Sequence, residues 1–291
     1  LTGGGYQKRD SYAELVKEPT PTGFTPITAN DETVIAPGSH GTPAPGEHLD
    51  GGLDRALVSP WVTLAGDGER LLLLFAKPKL QLGKLREPPI DICLRNYPTT
   101  TFKDDCLKVS RQHFQLGYDA VRAALLIEDI GSGNGTSLDG APLAAKTPKT
   151  LDHGRDHAVL VAGAVALSMH VHARQGVRQM DLIGTAPSNG SAICGLDTDH
   201  LFDAVTITRP RNRPELAYAL VLRRLTLGAS DAMLIPHGAK GDGACSIALF
   251  NGRWIWRAHE PGAPWKALTL GTTLTIGGQR YSARPGVYDD F

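Results

Sequence analysis

The chain has 291 residues, 30 Lys plus Arg against 30 Asp plus Glu, and a hydrophobic fraction of 41%. That length exceeds what one core usually needs, so two domains are expected and a miniature fold held by staples is excluded. The even charge balance removes the broad basic field of non-specific nucleic-acid binding, and no apolar run approaches the roughly 18 residues of a membrane helix.

Residues 1–53 are expected to be extended or disordered, because the stretch 19–46 is dominated by Pro, Thr and Gly and cannot bury enough apolar surface to offset its ordering entropy. The first residues show no basic-then-apolar pattern, so no secretory signal is expected. From residue 54 the texture changes to short Val, Leu and Ile runs punctuated by Gly, Pro, Asn and Asp. Strands are expected over 61–64, 70–76, 79–82, 91–94, 113–118, 124–129, 136–138, 157–161 and 166–173. A polar linker, 176–199, leads to a second set over 204–208, 217–222, 225–227, 245–250, 253–258, 274–276 and 279–282. The fold class is therefore all-β, with two β-sandwich domains at 54–175 and 200–291.

The two sets echo each other. Val62-Thr63-Leu64 precedes Leu80-Gln81-Leu82-Gly83, as Val205-Thr206-Ile207 precedes Leu225-Thr226-Leu227-Gly228, which points to a structural duplication. The cysteines Cys93, Cys106, Cys194 and Cys245 contain no CxxC pair, so buried free thiols in a reducing, cytoplasmic setting are expected. Trp254 and Trp256 share a strand face and read as core. Arg209, Arg211, Arg213, Arg223 and Arg224 read as a solvated basic patch.

Three segments of the first set carry chemistry: Leu82-Gly83-Lys84, Val109-Ser110-Arg111-Gln112-His113, and Glu128-Asp129-Ile130-Gly131-Ser132-Gly133-Asn134-Gly135-Thr136. Their order and spacing between strands resemble the forkhead-associated (FHA) domain over about residues 54–175, and Leu151 to Asp156 resembles the run into that family's final hairpin. The resemblance implies that loops at one end of a sandwich bind a phosphothreonine peptide. Ser110 matches the phosphate-binding serine, Asn134 the peptide-clamping asparagine, and His113 the histidine that braces the loop. Lys84 departs from the usual glycine-arginine pair, and either it or Arg86 supplies the cation there.

Elementary chemistry agrees with that assignment. A phosphothreonine carries close to two negative charges and three acceptor oxygens, so its reader needs a cation and converging donors. Lys84 and Arg111 supply charge, Ser110 a hydroxyl, and Asn134 a group that both donates and accepts. Gly83, Gly133, Gly135 and Thr136 are expected to shape the loops. The glycine segment leads from strand to strand with no following lysine, so it is no nucleotide phosphate loop. His153, His157, His170 and His172 have no carboxylate cluster beside them, and Ser110 with His113 has no orienting acid. No metal, cofactor or enzymatic activity is expected.

The second set lacks this chemistry: Ala229 follows Gly228, and Ala244-Cys245-Ser246 stands near where serine, arginine and histidine would fall. The expected function is a phosphothreonine-binding adaptor; the alternative is a phospho-independent scaffold with both sandwiches inactive for phosphate. The resemblance implies a phosphothreonine-containing partner, a serine/threonine kinase upstream, and a setting among bacterial relatives. Thr33, between Asp31-Glu32 and Val34-Ile35, resembles the phosphosites in the tails of such proteins, and self-association through it is an expectation.

Overall fold

The computed structural model describes residues 52–68, 70–119, 124–151, 157–173, 202–209, 216–228, 243–250, 252–260 and 263–286. The chain divides into two units, 1–34 and 35–291, and every described residue belongs to the second. Thr33, the linker 176–199, His153, Arg211 and Arg213 lie outside the described residues.

The first strand set comprises β1 (Trp61–Gly66), β2 (Leu71–Phe75), β3 (Lys79–Gly83), β4 (Ile92–Cys93), β5 (Phe114–Asp119), β6 (Ala124–Asp129), β7 (Thr136–Leu138), β8 (Ala141–Pro142), β9 (Lys149–Leu151), β10 (His157–Ala162) and β11 (Val165–Ala173). The second comprises β12 (Phe202–Thr208), β13 (Leu216–Val221), β14 (Arg224–Leu227), β15 (Cys245–Phe250), β16 (Arg253–Ala258), β17 (Lys266–Ala267), β18 (Thr273–Ile276) and β19 (Gln279–Pro285). A short helix, α1 (Lys103–Leu107), precedes β5; five residues are too few to show a helical period. The fold is all-β, as composition and punctuation foretell, and the short β8, β9 and β17 are the strands that pattern reading misses. Among the described residues no helix is long and apolar enough to cross a membrane.

Three sheets form. A five-stranded sheet runs β4-β3-β5-β6-β9, a four-stranded one β14-β15-β16-β17, and a ten-stranded one β18-β19-β1-β2-β13-β12-β11-β10-β7-β8. The order β3-β5-β6-β9 in one small sheet repeats as β14-β15-β16-β17 in the other, and each half closes with an antiparallel hairpin, β10–β11 or β18–β19. The echoing motifs therefore occupy equivalent strands.

The hairpins β1–β2 and β12–β13 cross between the halves. β11 pairs with β12, and β19 pairs with β1, while β2 and β13 join the two halves as a parallel pair in register Leu216↔Leu71 through Leu220↔Phe75. Burial follows from this. On β13 Leu216, Tyr218 and Leu220 enter the core under the five-stranded sheet, whereas Ala217, Ala219 and Val221 enter the core under the four-stranded sheet. Alternate residues of a strand face opposite ways, so the small sheets lie on opposite faces of the long one and make two sandwiches with a shared middle layer. A strand covered on both faces must be apolar throughout, and Leu216–Val221 is buried at every position. β10, covered on one face, alternates between exposed and buried over most of its length.

Trp254 is fully buried in the second core with Trp256 packed against it, as expected of core residues. The basic patch is a correction. Arg209 is only 1% exposed, and Arg223 pairs with Asp203 at 2.6 Å, because the hairpin carrying them is packed into the other half rather than laid on a surface.

Candidate functional site

The site is built where β3 ends against the loops before β5 and after β6. The His113 N–H donates to the Leu82 carbonyl at 2.9 Å, the Lys84 N–H to Ser110 at 3.0 Å, and the Leu85 N–H to Arg111 at 3.5 Å. Gly83 permits this approach. A Cβ there would sit far inside van der Waals contact with the Arg111 carbonyl oxygen and 3.0 Å from the Gln112 Cα.

His113 is fully buried at the start of β5 and ties the two loops together. Its Nδ1 accepts from the Ser110 N–H at 3.0 Å, so the ring proton sits on Nε2, which donates to the Gly135 carbonyl at 3.0 Å. Asp129, at the end of β6, folds the glycine segment. Its carboxylate accepts from the Gly131 and Ser132 N–H groups and from the Ser132 and Thr136 hydroxyls, at 2.7–2.9 Å. Gly131 and Gly135 adopt φ of 98° and 73°, left-handed conformations that glycine enters without penalty.

These constraints bring the predicted residues to one place. An open groove of about 730 Å³ is lined by Lys84, Ser110, Arg111, Gly133 and Asn134, together with Leu85, Leu107, Val109 and Gln112. Ser110 Oγ accepts from the Gly133 N–H at 2.9 Å, which leaves its hydroxyl proton to donate to a ligand. Asn134 Nδ2 donates to the Lys108 carbonyl at 2.9 Å, which leaves its Oδ1 as an acceptor. Neither the Lys84 ammonium nor the Arg111 guanidinium forms an ion pair with a described residue. Arg86 is exposed and lies outside the lining. Leu85 and Leu107, the latter 63% exposed on α1, are lining residues that sequence reasoning missed; for Leu107 the unrecognised helix is the reason.

The counterpart in the second half is different. Ser246 lies within β15, buried and 3.2 Å from the Thr226 hydroxyl, so it is a strand residue rather than a loop donor. Burial pushes the adjacent Cys245 thiol up to about 12. Among the described residues no group of three metal-ligating side chains forms. The His157 and His170 rings meet at 4.7 Å, tilted by 59°, His157 bonds Ser168, and His172 bonds Thr206.

Burial lowers the His113 pKa below its ordinary 6.5, against opposing contributions from Gly135 and Asp129. For Asp129, burial would raise the carboxyl, but the bonds from Ser132, Thr136 and Gly131 outweigh it and hold the carboxyl below its ordinary 3.8. Both groups bind fewer protons folded than unfolded, so both stabilise the fold above their unfolded pKa and lose that contribution as pH falls through the folded one. The urea midpoint should therefore be level near neutrality, decline below 6.5, and fall further below 3.8. In His113→Gln, whose side chain does not titrate there, the first decline should shrink to what His170, also lowered by burial and by His157, contributes; an undiminished decline would place the acid sensitivity elsewhere.

Residues 83–156 match the family model described as FHA domain. Over that span the chain is similar to an FHA domain. Its matched span begins at the glycine of β3 and takes in the whole groove. Similar solved structures include the FHA domain of a hypothetical protein of Arabidopsis thaliana, at 22% identity, 45% of this chain, 98% of that chain and a TM-score of 0.27. The FHA domain of a Chlamydia trachomatis protein matches at 22% identity, 37% and 93% coverage and a TM-score of 0.24. A structure described as an analysis of phosphothreonine-dependent FHA domain interactions matches at 26% identity, 35% and 88% coverage and a TM-score of 0.22. No curated protein matches the chain.

Proposed function

We propose that the FHA groove binds phosphothreonine peptides and that the protein is a non-enzymatic adaptor in serine/threonine kinase signalling in the bacterial cytoplasm. The observation that carries this reading is the convergence on one open groove of two cations with no ion-pair partner among the described residues, a serine hydroxyl and an asparagine. Lys84 and Arg111 offset the phosphate charge, the Ser110 hydroxyl donates to a phosphate oxygen, and Asn134 holds the peptide backbone. Arg111 is the group able to offer a planar two-donor fork, while Lys84 acts as a point charge.

The partner is a protein phosphorylated on threonine by a kinase upstream. Thr33 is a candidate within the chain, and its phosphorylated form would close the groove or link molecules head to tail. Calorimetric titration of the full chain with a phospho-Thr33 peptide and a phosphothreonine library, each against its unphosphorylated form, tests the reading. Phosphate-dependent binding is expected. Equal binding of both forms would favour the phospho-independent scaffold.

A further inference from the structure

We propose that Arg209, from the second half of the chain, is a positioning residue for the Lys84 end of the groove. β4 is the outer strand of the five-stranded sheet, and its inner side is engaged where the Leu94 N–H donates to the Gly83 carbonyl at 2.6 Å. Carbonyls two residues apart on a strand edge point the same way, so those of Cys93 and Arg95 form a pair of outward acceptors. Arg209 occupies them: Nη2 donates to Cys93, and Nη1 to Arg95 at 3.0 Å. A planar guanidinium fits two acceptors so spaced, and the Tyr218 ring lies 5.6 Å from its carbon.

Arg95 passes the restraint to the groove. With its carbonyl held, its Nε and Nη2 donate to the Lys84 carbonyl at 3.2 and 3.0 Å, while the Lys84 N–H donates to Ser110. Lys84 is thus held at both its N–H and its carbonyl, and its ammonium emerges from that doubly bonded backbone. The groove matched by the FHA model is held by a residue 53 positions beyond the end of that match, contributed by the hairpin that crosses between the halves. What the groove binds rests on the phosphothreonine reading; the positioning itself does not.

The test uses the full chain as wild type, Arg209→Gln, Arg95→Gln and Arg223→Gln, each checked for a folded amide spectrum. The Arg223 variant is the control, since it breaks the Arg223–Asp203 pair of the same hairpin. Arg209→Gln and Arg95→Gln should shift the Lys84 and Leu85 amide resonances and weaken phosphothreonine-peptide binding about tenfold or more. Arg223→Gln should do neither. Unmoved Lys84 and Leu85 resonances in folded Arg209→Gln and Arg95→Gln would overturn the proposal, as would equal effects from Arg223→Gln. If wild type binds no phosphopeptide, the phosphothreonine reading fails, and shifts confined to the Arg209 and Arg95 variants would still support the positioning. Should Arg209→Gln fail to fold, Arg209→Lys, which keeps the charge but not the two-donor fork onto Cys93 and Arg95, carries the same decision.

Discussion

Alanine at Ser110 or at Asn134 is expected to weaken phosphothreonine-peptide binding by about 1.5–3 kcal/mol, roughly 10- to 150-fold in dissociation constant, the range for a hydrogen bond to a charged group. Ser110→Ala removes the hydroxyl donor and also frees the Gly133 N–H that it holds, so the glycine segment loses its tie to the loop before β5. Asn134→Ala removes the second tie between the same loops, at Lys108, along with the acceptor left for the peptide. Asn134 is exposed and Ser110 half-buried, so thermal stability should change by about 1 kcal/mol or less. Calorimetry on both variants decides the matter, and wild-type affinity in each would remove these residues from the site.

Gly83→Ala is expected to be the most damaging single methyl beside the groove. The added carbon cannot coexist with the Arg111 carbonyl, and backbone rather than a flexible side chain must give way. Moving the end of β3 breaks the Lys84 and Leu85 bonds to the opposing loop, so affinity and stability fall together. The cost should be about 3 kcal/mol, the upper end for overpacking, and a lowering of the melting temperature by about 10 °C. Gly135→Ala is the comparison. Its Cβ would meet nothing within 4 Å, so only the left-handed backbone opposes it, at about 1 kcal/mol. Equal costs for the two variants in chemical denaturation would show that β3 does not approach the loop so closely.

The strand content was legible because its causes are local. Apolar runs of strand length ended by Gly, Pro, Asn and Asp leave little choice but short strands, and those of β7, β15 and β16 run over the expected residues. That Lys84, Ser110, Arg111 and Asn134 line one groove was legible for a related reason: all four stand near strand ends, where loops begin. Arg86 shares the chemistry of Lys84 but not its place. Three residues past the strand it is already outside the lining, and only coordinates separate them.

Which hairpin completes which half could not be read locally. Val62-Thr63-Leu64 and Val205-Thr206-Ile207 present the same pattern of size and polarity, so pattern alone lets either strand lie beside β11. The choice belongs to the tertiary structure, because pairing β2 with β13 buries both faces of the central strands, a gain that appears only when the two halves meet. Arg209 shows the same division. In sequence it sits among arginines and reads as solvated charge, yet its acceptors, Arg95 and Cys93, lie 114 and 116 residues away. By itself the sequence determined a β-protein and the polar loop residues that line its groove. The tertiary structure decided which strands share a sheet and which charges are buried, since those depend on burial and hydrogen-bond satisfaction between segments distant in the chain.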